Sequence, residues 1–188
     1  MIRNDQSGFY LFQKSLGTDT ALKEMLQFLR TGSPGRSLQF AYVEAETSLI
    51  PHLTLWENLH IVVGGSTWKE FVSHLEVDWQ PLVKLIKDPE VVASEATPWE
   101  RLTISLIKAT LMKTPHVLVD INEAHYAPLN LSNFKKMLML VAQQKNVFIA
   151  TSNTTYWQDS SHSLVTRNGY EFVVEVLSQD QIKKPRTA

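Results

Sequence analysis

The chain contains no cysteine among its 188 residues, which excludes a disulfide framework, a thiolate nucleophile and a cysteine-based zinc site. No uninterrupted apolar run approaches the ~18 residues that a membrane-spanning helix needs. The net charge of −1 gives no global attraction to a phosphate backbone, so nucleic-acid binding is not expected. No HExxH or similar spacing occurs, and neither His125 nor His162 belongs to a recognisable triad, so no metal site is expected.

The apolar pattern alternates between strand-like and helix-like segments. It predicts strands at 8–12, 38–43, 116–120 and 146–151, helices at 18–30, 97–115 and 129–145, interrupted helical patterns over 53–87, and a closing hairpin at 162–166 and 170–177. Strands that alternate with helices predict an α/β fold with a mostly parallel sheet and flanking helices. We expect one domain over 1–177 with a helical subdomain inserted at about 54–100, and a flexible tail at 178–188.

Several stretches, in this order, are similar to landmarks of the ABC (ATP-binding cassette) ATPase domain. AYVEAETSLIPHLTLWENL (41–59) is similar to the stretch where a strand meets the glutamine loop and a P-H-L-T-V-x-E-N run follows. SLIKATLM (105–112) resembles the helix before the Walker B strand. HVLVDINEAHYAPLN (116–130) resembles the Walker B strand with the segment that follows it, and VFIATSN (147–153) resembles the switch strand. The resemblance covers about residues 8–177, rests on spacing more than on identities, and implies a P-loop NTPase-like fold.

The resemblance places the Walker A loop at FQKSLGTD (12–19). Such a loop needs glycines that let backbone N–H groups approach phosphate, a lysine that neutralises it, and a hydroxyl on magnesium. Here Phe12 stands at the first glycine and Gly17 is kept, whereas Thr18 replaces the lysine and Asp19 the hydroxyl. A carboxylate there repels a triphosphate, so tight ATP binding in the usual pose is not expected.

Two lysines lie close to this segment in sequence. Lys14 and Lys23 are each able to reach a phosphate in principle, but lysine is normally exposed. We therefore expect both to lie on a solvated loop or helix face.

The other chemical positions of the resembled family differ as well. Ala45 stands where the family has its metal-sensing glutamine, and residues 96–100 stand where it has the LSGGQ signature. Ile121 replaces the catalytic glutamate, and Ser152 replaces the switch histidine. Asp120 keeps the Walker B type. Glu123 is displaced by two residues, too far for a group that must sit within about 3 Å of its proton. The resemblance therefore implies a degenerate cassette, a pseudo-ATPase with no catalytic residue and no cofactor.

Two functions fit this pattern. The first is a catalytically inactive subunit that acts as scaffold or regulator in a transporter-type or related complex. Its partners would be a second copy, an active ABC ATPase or a membrane permease. The alternative is a divergent ATP-binding protein or weak ATPase completed by a partner subunit. The N-terminus shows no signal-peptide pattern, which indicates a cytoplasmic protein, held at the inner face of the membrane if its partner is a permease.

The stretch IPHLTLWENL (50–59) corresponds, in the resembled family, to a region beside the surface that receives a permease's coupling helix. The candidate partner surface consists of Leu49, Ile50, Pro51, His52, Leu53 and Trp56. An equally supported interpretation is that the apolar residues of this stretch, Leu49, Ile50, Leu53, Leu55 and Leu59, only cover the sheet, because apolar faces are mostly core.

The chain begins almost at the strand that precedes the Walker A segment. We therefore expect the antiparallel subdomain of the resembled family to lack its N-terminal strands or to be reduced to the C-terminal hairpin, and residues 8–12 to form an exposed sheet edge. Exposed edge strands invite pairing with another chain. Self-association would cover this edge, so the sequence predicts a dimer.

Overall fold

The computed structural model describes residues 8–14, 21–32, 38–122, 126–161, 163–168 and 171–177. The strands are β1 (Gly8–Gln13), β2 (Phe40–Val43), β3 (His116–Asp120), β4 (Asn146–Thr151), β5 (Ser163–Asn168) and β6 (Glu171–Val176). The helices are α1 (Ala21–Gly32), α2 (Leu55–Val63), α3 (Trp68–His74), α4 (Gln80–Val83), α5 (Pro98–Leu111), α6 (Pro128–Val141) and α7 (Thr154–Trp157). The expected tail at 178–188 lies outside the described residues.

These strands form one sheet in the order β2-β3-β4-β1-β5-β6. The first five of these strands are parallel to their neighbours, and β6 runs antiparallel to β5. The predicted mostly parallel α/β architecture is confirmed. Because the carboxyl ends of β2, β3, β4 and β1 lie side by side, the loops that follow these strands meet at one end of the sheet.

The expectation of an exposed edge at residues 8–12 is wrong. β1 pairs with β4 on one side and with β5 on the other, so its backbone is covered on both sides. Among the described strands, β2 and β6 are the outer ones. The chain itself supplies the missing neighbour, because β5 returns to pair with β1. Strand β1 therefore gives no reason to expect a dimer.

Two apolar clusters pack on the two faces of the sheet. One face carries α1, whose Met25, Phe28 and Leu29 pack against Phe12 and Phe148. The opposite face carries the larger cluster, which includes α5, α6 and the helical part between β2 and α5. Tryptophans contribute to this larger cluster, since Trp79 is buried and the rings of Trp56 and Trp68 lie 5.8 Å apart.

Helix α5 shows how local sequence fixes these elements. Thr97 caps it, Pro98 occupies its first turn, and Glu100 completes a capping box by accepting from the Thr97 backbone, the arrangement expected at a helix start. The helix ends at Leu111, before Pro115.

In the part of the chain that the structure describes, no helix is both long and apolar enough to cross a membrane.

Candidate functional site at the carboxyl ends of the strands

The carboxyl ends of four parallel strands bring the sequence-predicted positions together. Lys14 follows β1, Glu44 and Ala45 follow β2, Asp120 ends β3, and Ser152 follows β4. In open α/β sheets, ligands bind in the crevice outside such strand ends. This end of the sheet is therefore the candidate functional site. Gly17, Thr18 and Asp19 lie outside the described residues, as do Glu123, His125 and His162.

Lys14 is not on a solvated face, and this expectation is wrong. Its ammonium forms an ion pair with Asp120 Oδ1 and donates a hydrogen bond to the Ile121 carbonyl at 3.2 Å. The two side chains are only 23% and 21% exposed. The physical reason is that the chain leaves β1 toward the carboxyl end of β3, where a partly buried carboxylate favours a cation.

Asp120 has a second polar neighbour on its other oxygen. The Tyr42 hydroxyl, from β2, lies 3.5 Å from Asp120 Oδ2, at the outer limit of a hydrogen bond. Burial, followed by the negative charges of Asp120 and Glu44, raises the pKa of Tyr42 well above its ordinary value of 10.0. Tyr42 therefore stays a neutral donor, and Asp120 is contacted on both of its oxygens.

Three of the positions implied by the resemblance carry buried apolar side chains. Phe12 is fully buried and packs against the rings of Phe28 and Phe172. Ile121 is 1% exposed and Ala45 is 8% exposed, and both belong to the larger core cluster. None of these side chains is able to donate, accept or transfer a proton.

The segment at the signature position is used for helix capping. Both Glu100 oxygens are engaged, one by the Lys87 N–H at 3.2 Å and the other by the Thr97 N–H and hydroxyl at 3.0 and 2.7 Å. Burial alone would raise the pKa of Glu100, but these hydrogen bonds outweigh it and lower the pKa below 4.5. Trp99 is buried against the rings of Tyr126 and Phe134. The segment thus closes onto its own core.

Arg101, which the sequence pattern did not single out, connects this segment to the end of β2. Its Nε donates to the Ala45 carbonyl at 2.6 Å, and its Nη1 to the carbonyls of Ala96 and Ala93 at 2.9 and 3.4 Å. A guanidinium provides several donors in a fixed planar arrangement, which suits such a multiple contact. A charged residue within the mainly apolar stretch WERLTISLI was the available signal.

Ser152 lies in an exposed turn between β4 and α7. Its neighbour Asn153 donates from its backbone to Thr151 Oγ1 at 2.9 Å and accepts from the Tyr156 N–H as the cap of α7. The turn at the switch position is therefore organised by Thr151 and Asn153.

The candidate partner surface divides by exposure. Ile50, Pro51 and His52 are exposed, Leu53 and Trp56 are half-buried, and Leu49 is 7% exposed. Leu55 and Leu59 are fully buried beneath it. The exposed part is thus the three-residue tip Ile50–Pro51–His52.

Asn58, a second residue that the sequence pattern did not single out, holds this tip from beneath. It is fully buried, accepts from the Ile50 N–H at 2.7 Å, and donates to the carbonyls of Ile50 and Thr54 at 3.0 Å each and of Leu53 at 3.4 Å. A backbone hydrogen bond, from the Ser94 N–H to the Pro51 carbonyl at 3.0 Å, holds the same loop. The loop is therefore preformed.

At this end of the sheet, two described positions offer no ligand to a magnesium nucleotide. Such a ligand needs a free acidic oxygen for the metal and polar groups around the reacting phosphate. Ala45 and Ile121 are apolar, and Asp120 is already paired with Lys14. Within the described ranges, no three His, Asp or Glu side chains come together as metal ligands.

No family model matches the chain, and no curated protein matches it in sequence. Solved structures do match. A dimeric, post-hydrolysis structure of the ATP-binding cassette MJ0796 bound to ADP and phosphate aligns with a TM-score of 0.70 at 12% identity, over 94% of this chain and 88% of that chain. The ATP-binding subunit of an ABC transporter aligns with a TM-score of 0.67 at 16% identity, over 96% and 85%.

A further dimeric structure of MJ0796, described as a bacterial ABC transporter cassette, aligns with a TM-score of 0.65 at 12% identity, over 94% of this chain and 88% of that chain. Identities this low establish the architecture and not the chemistry. The resemblance inferred from sequence spacing is thereby supported at the level of the fold. The chain has the fold of the ABC ATPase cassettes.

Proposed function

We propose that this chain is a catalytically inactive ABC-ATPase-like subunit that serves as a scaffold or regulator in a transporter-type or related complex. The observation that carries the proposal is the burial of Phe12, Ala45 and Ile121. These apolar side chains occupy positions where the resembled family uses a phosphate-loop glycine, a metal-sensing glutamine and a catalytic base. General-base hydrolysis needs a group within reach of the attacking water, and Ile121 supplies none.

The partner side of the proposal is supported by the tip Ile50–Pro51–His52. A docking surface benefits from a fixed shape, because ordering a loop on binding costs free energy. Asn58 and the Ser94–Pro51 hydrogen bond provide that fixed shape. We propose that this surface contacts a membrane permease subunit, which would hold the chain at the cytoplasmic face of the membrane.

A second cassette chain is the other proposed partner, either a copy of this chain or an active ATPase. The dimeric solved cassettes of the same fold support this pairing. An active partner would supply the nucleotide chemistry that this chain lacks.

Isothermal titration with Mg-ATP tests the catalytic half of the proposal. We expect no submillimolar binding and no phosphate release by the purified chain. Submillimolar binding that disappears in the Asp120→Asn variant would instead establish the alternative, a divergent ATP-binding protein or weak ATPase.

Affinity purification from detergent-solubilised native cells tests the partner half. We expect a membrane permease or an intact ABC ATPase to copurify with the wild-type chain, and the permease to be lost with Ile50→Asp. The matched control is Val77→Asp, because Val77 is 83% exposed and outside the candidate partner surface. Equal loss with both variants, or with neither, would argue against this surface.

A further inference from the structure

The ion pair between Lys14 and Asp120 joins strands that are not neighbours. β4 lies between β1 and β3, and adjacent strands are about 4.8 Å apart. The lysine therefore reaches across the end of β4 to contact Asp120 and the Ile121 carbonyl. A side chain in this position ties the two strand ends together over the third.

The same contacts give each Asp120 oxygen a polar neighbour. Oδ1 is paired with the ammonium, and Oδ2 faces the Tyr42 hydroxyl at 3.5 Å. A divalent cation that approached Asp120 would meet a positive charge already in place. To coordinate Oδ1, the cation would have to displace Lys14, and at Oδ2 it would still lie close to the same ammonium as a like charge.

In P-loop NTPases, an aspartate at the end of this strand helps to hold magnesium. We propose that the Lys14 ammonium is the built-in counter-ion of Asp120. This ammonium takes the place that a divalent cation would have at the carboxylate, and it excludes such a cation. The inference deepens the proposed function and rests on it, since it describes how the site is stabilised without metal or nucleotide.

Thermal melts of the full chain test this inference, with wild type, K14M, D120N and K14M/D120N each measured in EDTA and in millimolar Mg²⁺. We expect wild type to melt at the same temperature in both solutions. K14M should melt lower than wild type in EDTA and should gain stability in Mg²⁺, because the exposed carboxylate then accepts the ion. K14M/D120N should gain nothing from Mg²⁺ and should be at least as stable in EDTA as K14M.

Lys23→Met is the matched control, because Lys23 is exposed on α1, and it should melt as wild type does in both solutions. Three results would each overturn the inference: a wild type stabilised by Mg²⁺ through Asp120, a K14M that melts as wild type does, or a K14M that Mg²⁺ leaves unchanged. If K14M does not fold in EDTA, recovery of its folded signal in Mg²⁺ is the expected result, and failure to recover is the overturning one.

The outcomes separate this inference from the proposed function. If wild type turns over Mg-ATP and Mg²⁺ alone does not stabilise it, the proposed function is wrong and the counter-ion inference stands. If Mg²⁺ alone stabilises wild type and no nucleotide binds, the counter-ion inference is wrong and the proposed function stands.

Discussion

Replacement of Arg101 by methionine should weaken the fold more than any single exposed substitution. Arg101 is half-buried and donates to the carbonyls of Ala45 and Ala96 at 2.6 and 2.9 Å, with a longer contact to Ala93 at 3.4 Å. Methionine keeps much of the apolar stem but has no donor. The variant therefore loses the hydrogen bonds and leaves carbonyls of buried alanines without this donor.

The size of the effect follows from the two short bonds. A hydrogen bond to a charged group contributes about 1.5–3 kcal/mol, and a neutral one about 0.5–1.5 kcal/mol. Because Arg101 is only half-buried, we expect about 1–2 kcal/mol for each short bond and a loss of about 2–4 kcal/mol in the free energy of unfolding. For a chain of this length, that corresponds to a fall of about 4–16 °C in Tm.

Equilibrium unfolding in urea, followed by tryptophan fluorescence, measures the loss. Arg30→Met is the matched control, because Arg30 lies exposed in the last turn of α1, and surface substitutions usually change stability by about 0.5 kcal/mol or less. Arg101→Lys should fall between wild type and Arg101→Met, since an ammonium keeps the charge but not the planar arrangement of donors. If Arg101→Met costs no more than Arg30→Met, the role assigned to Arg101 is refuted.

Three further predictions address other parts of the molecule. Asn58→Ala should lower the free energy of unfolding by about 2–4 kcal/mol, because a fully buried amide loses its hydrogen bonds with the backbone of Ile50, Leu53 and Thr54. Urea unfolding measures this loss, and a change no larger than that of a surface substitution would contradict the prediction. Ile121→Glu should give no ATPase activity in a phosphate-release assay. It should also lower the melting temperature of the chain, since the new carboxylate is buried. Measurable ATP turnover by this variant would contradict the prediction. Burial lowers the pKa of His116 below 6.5, so the unfolded chain binds a proton that the folded chain disfavours, and stability should fall as pH drops below about 6.5. Thermal melts across this range should show the fall in wild type and a smaller one in His116→Phe; an equal fall in both would contradict it.

Periodicity predicted the central elements well, because their burial is strong and local. The bounds of β3 and β4 agree with the predicted 116–120 and 146–151. The strand predicted at 38–43 begins only at Phe40, since its neighbour β3 begins at His116, the register partner of Phe40. The helix predicted at 129–145 ends at Val141, and Lys145 instead donates to the Ala109 carbonyl at the end of α5.

Long-range partners were beyond the reach of sequence periodicity. The pairing of Lys14 with Asp120 links residues 106 positions apart, and Arg101 contacts a carbonyl 56 positions away. A lysine has the same local pattern whether it meets water or a carboxylate. Likewise, the pairing of β1 with β5 depends on how the chain returns after β4, which no local pattern around residues 8–12 records.

Two positions that differ from the resembled family carry apolar side chains that pack in the core. Phe12 packs under α1, and Ile121 is 1% exposed within the larger core cluster. Each of these side chains contributes to folding, so its replacement by the residue that the family has there would remove a stabilising contact and leave the other in place. Natural domains are stable by only about 5–15 kcal/mol, and two core substitutions at about 1–4 kcal/mol each would consume much of that margin. We therefore expect stability to limit the stepwise installation of the family's residues at these two positions.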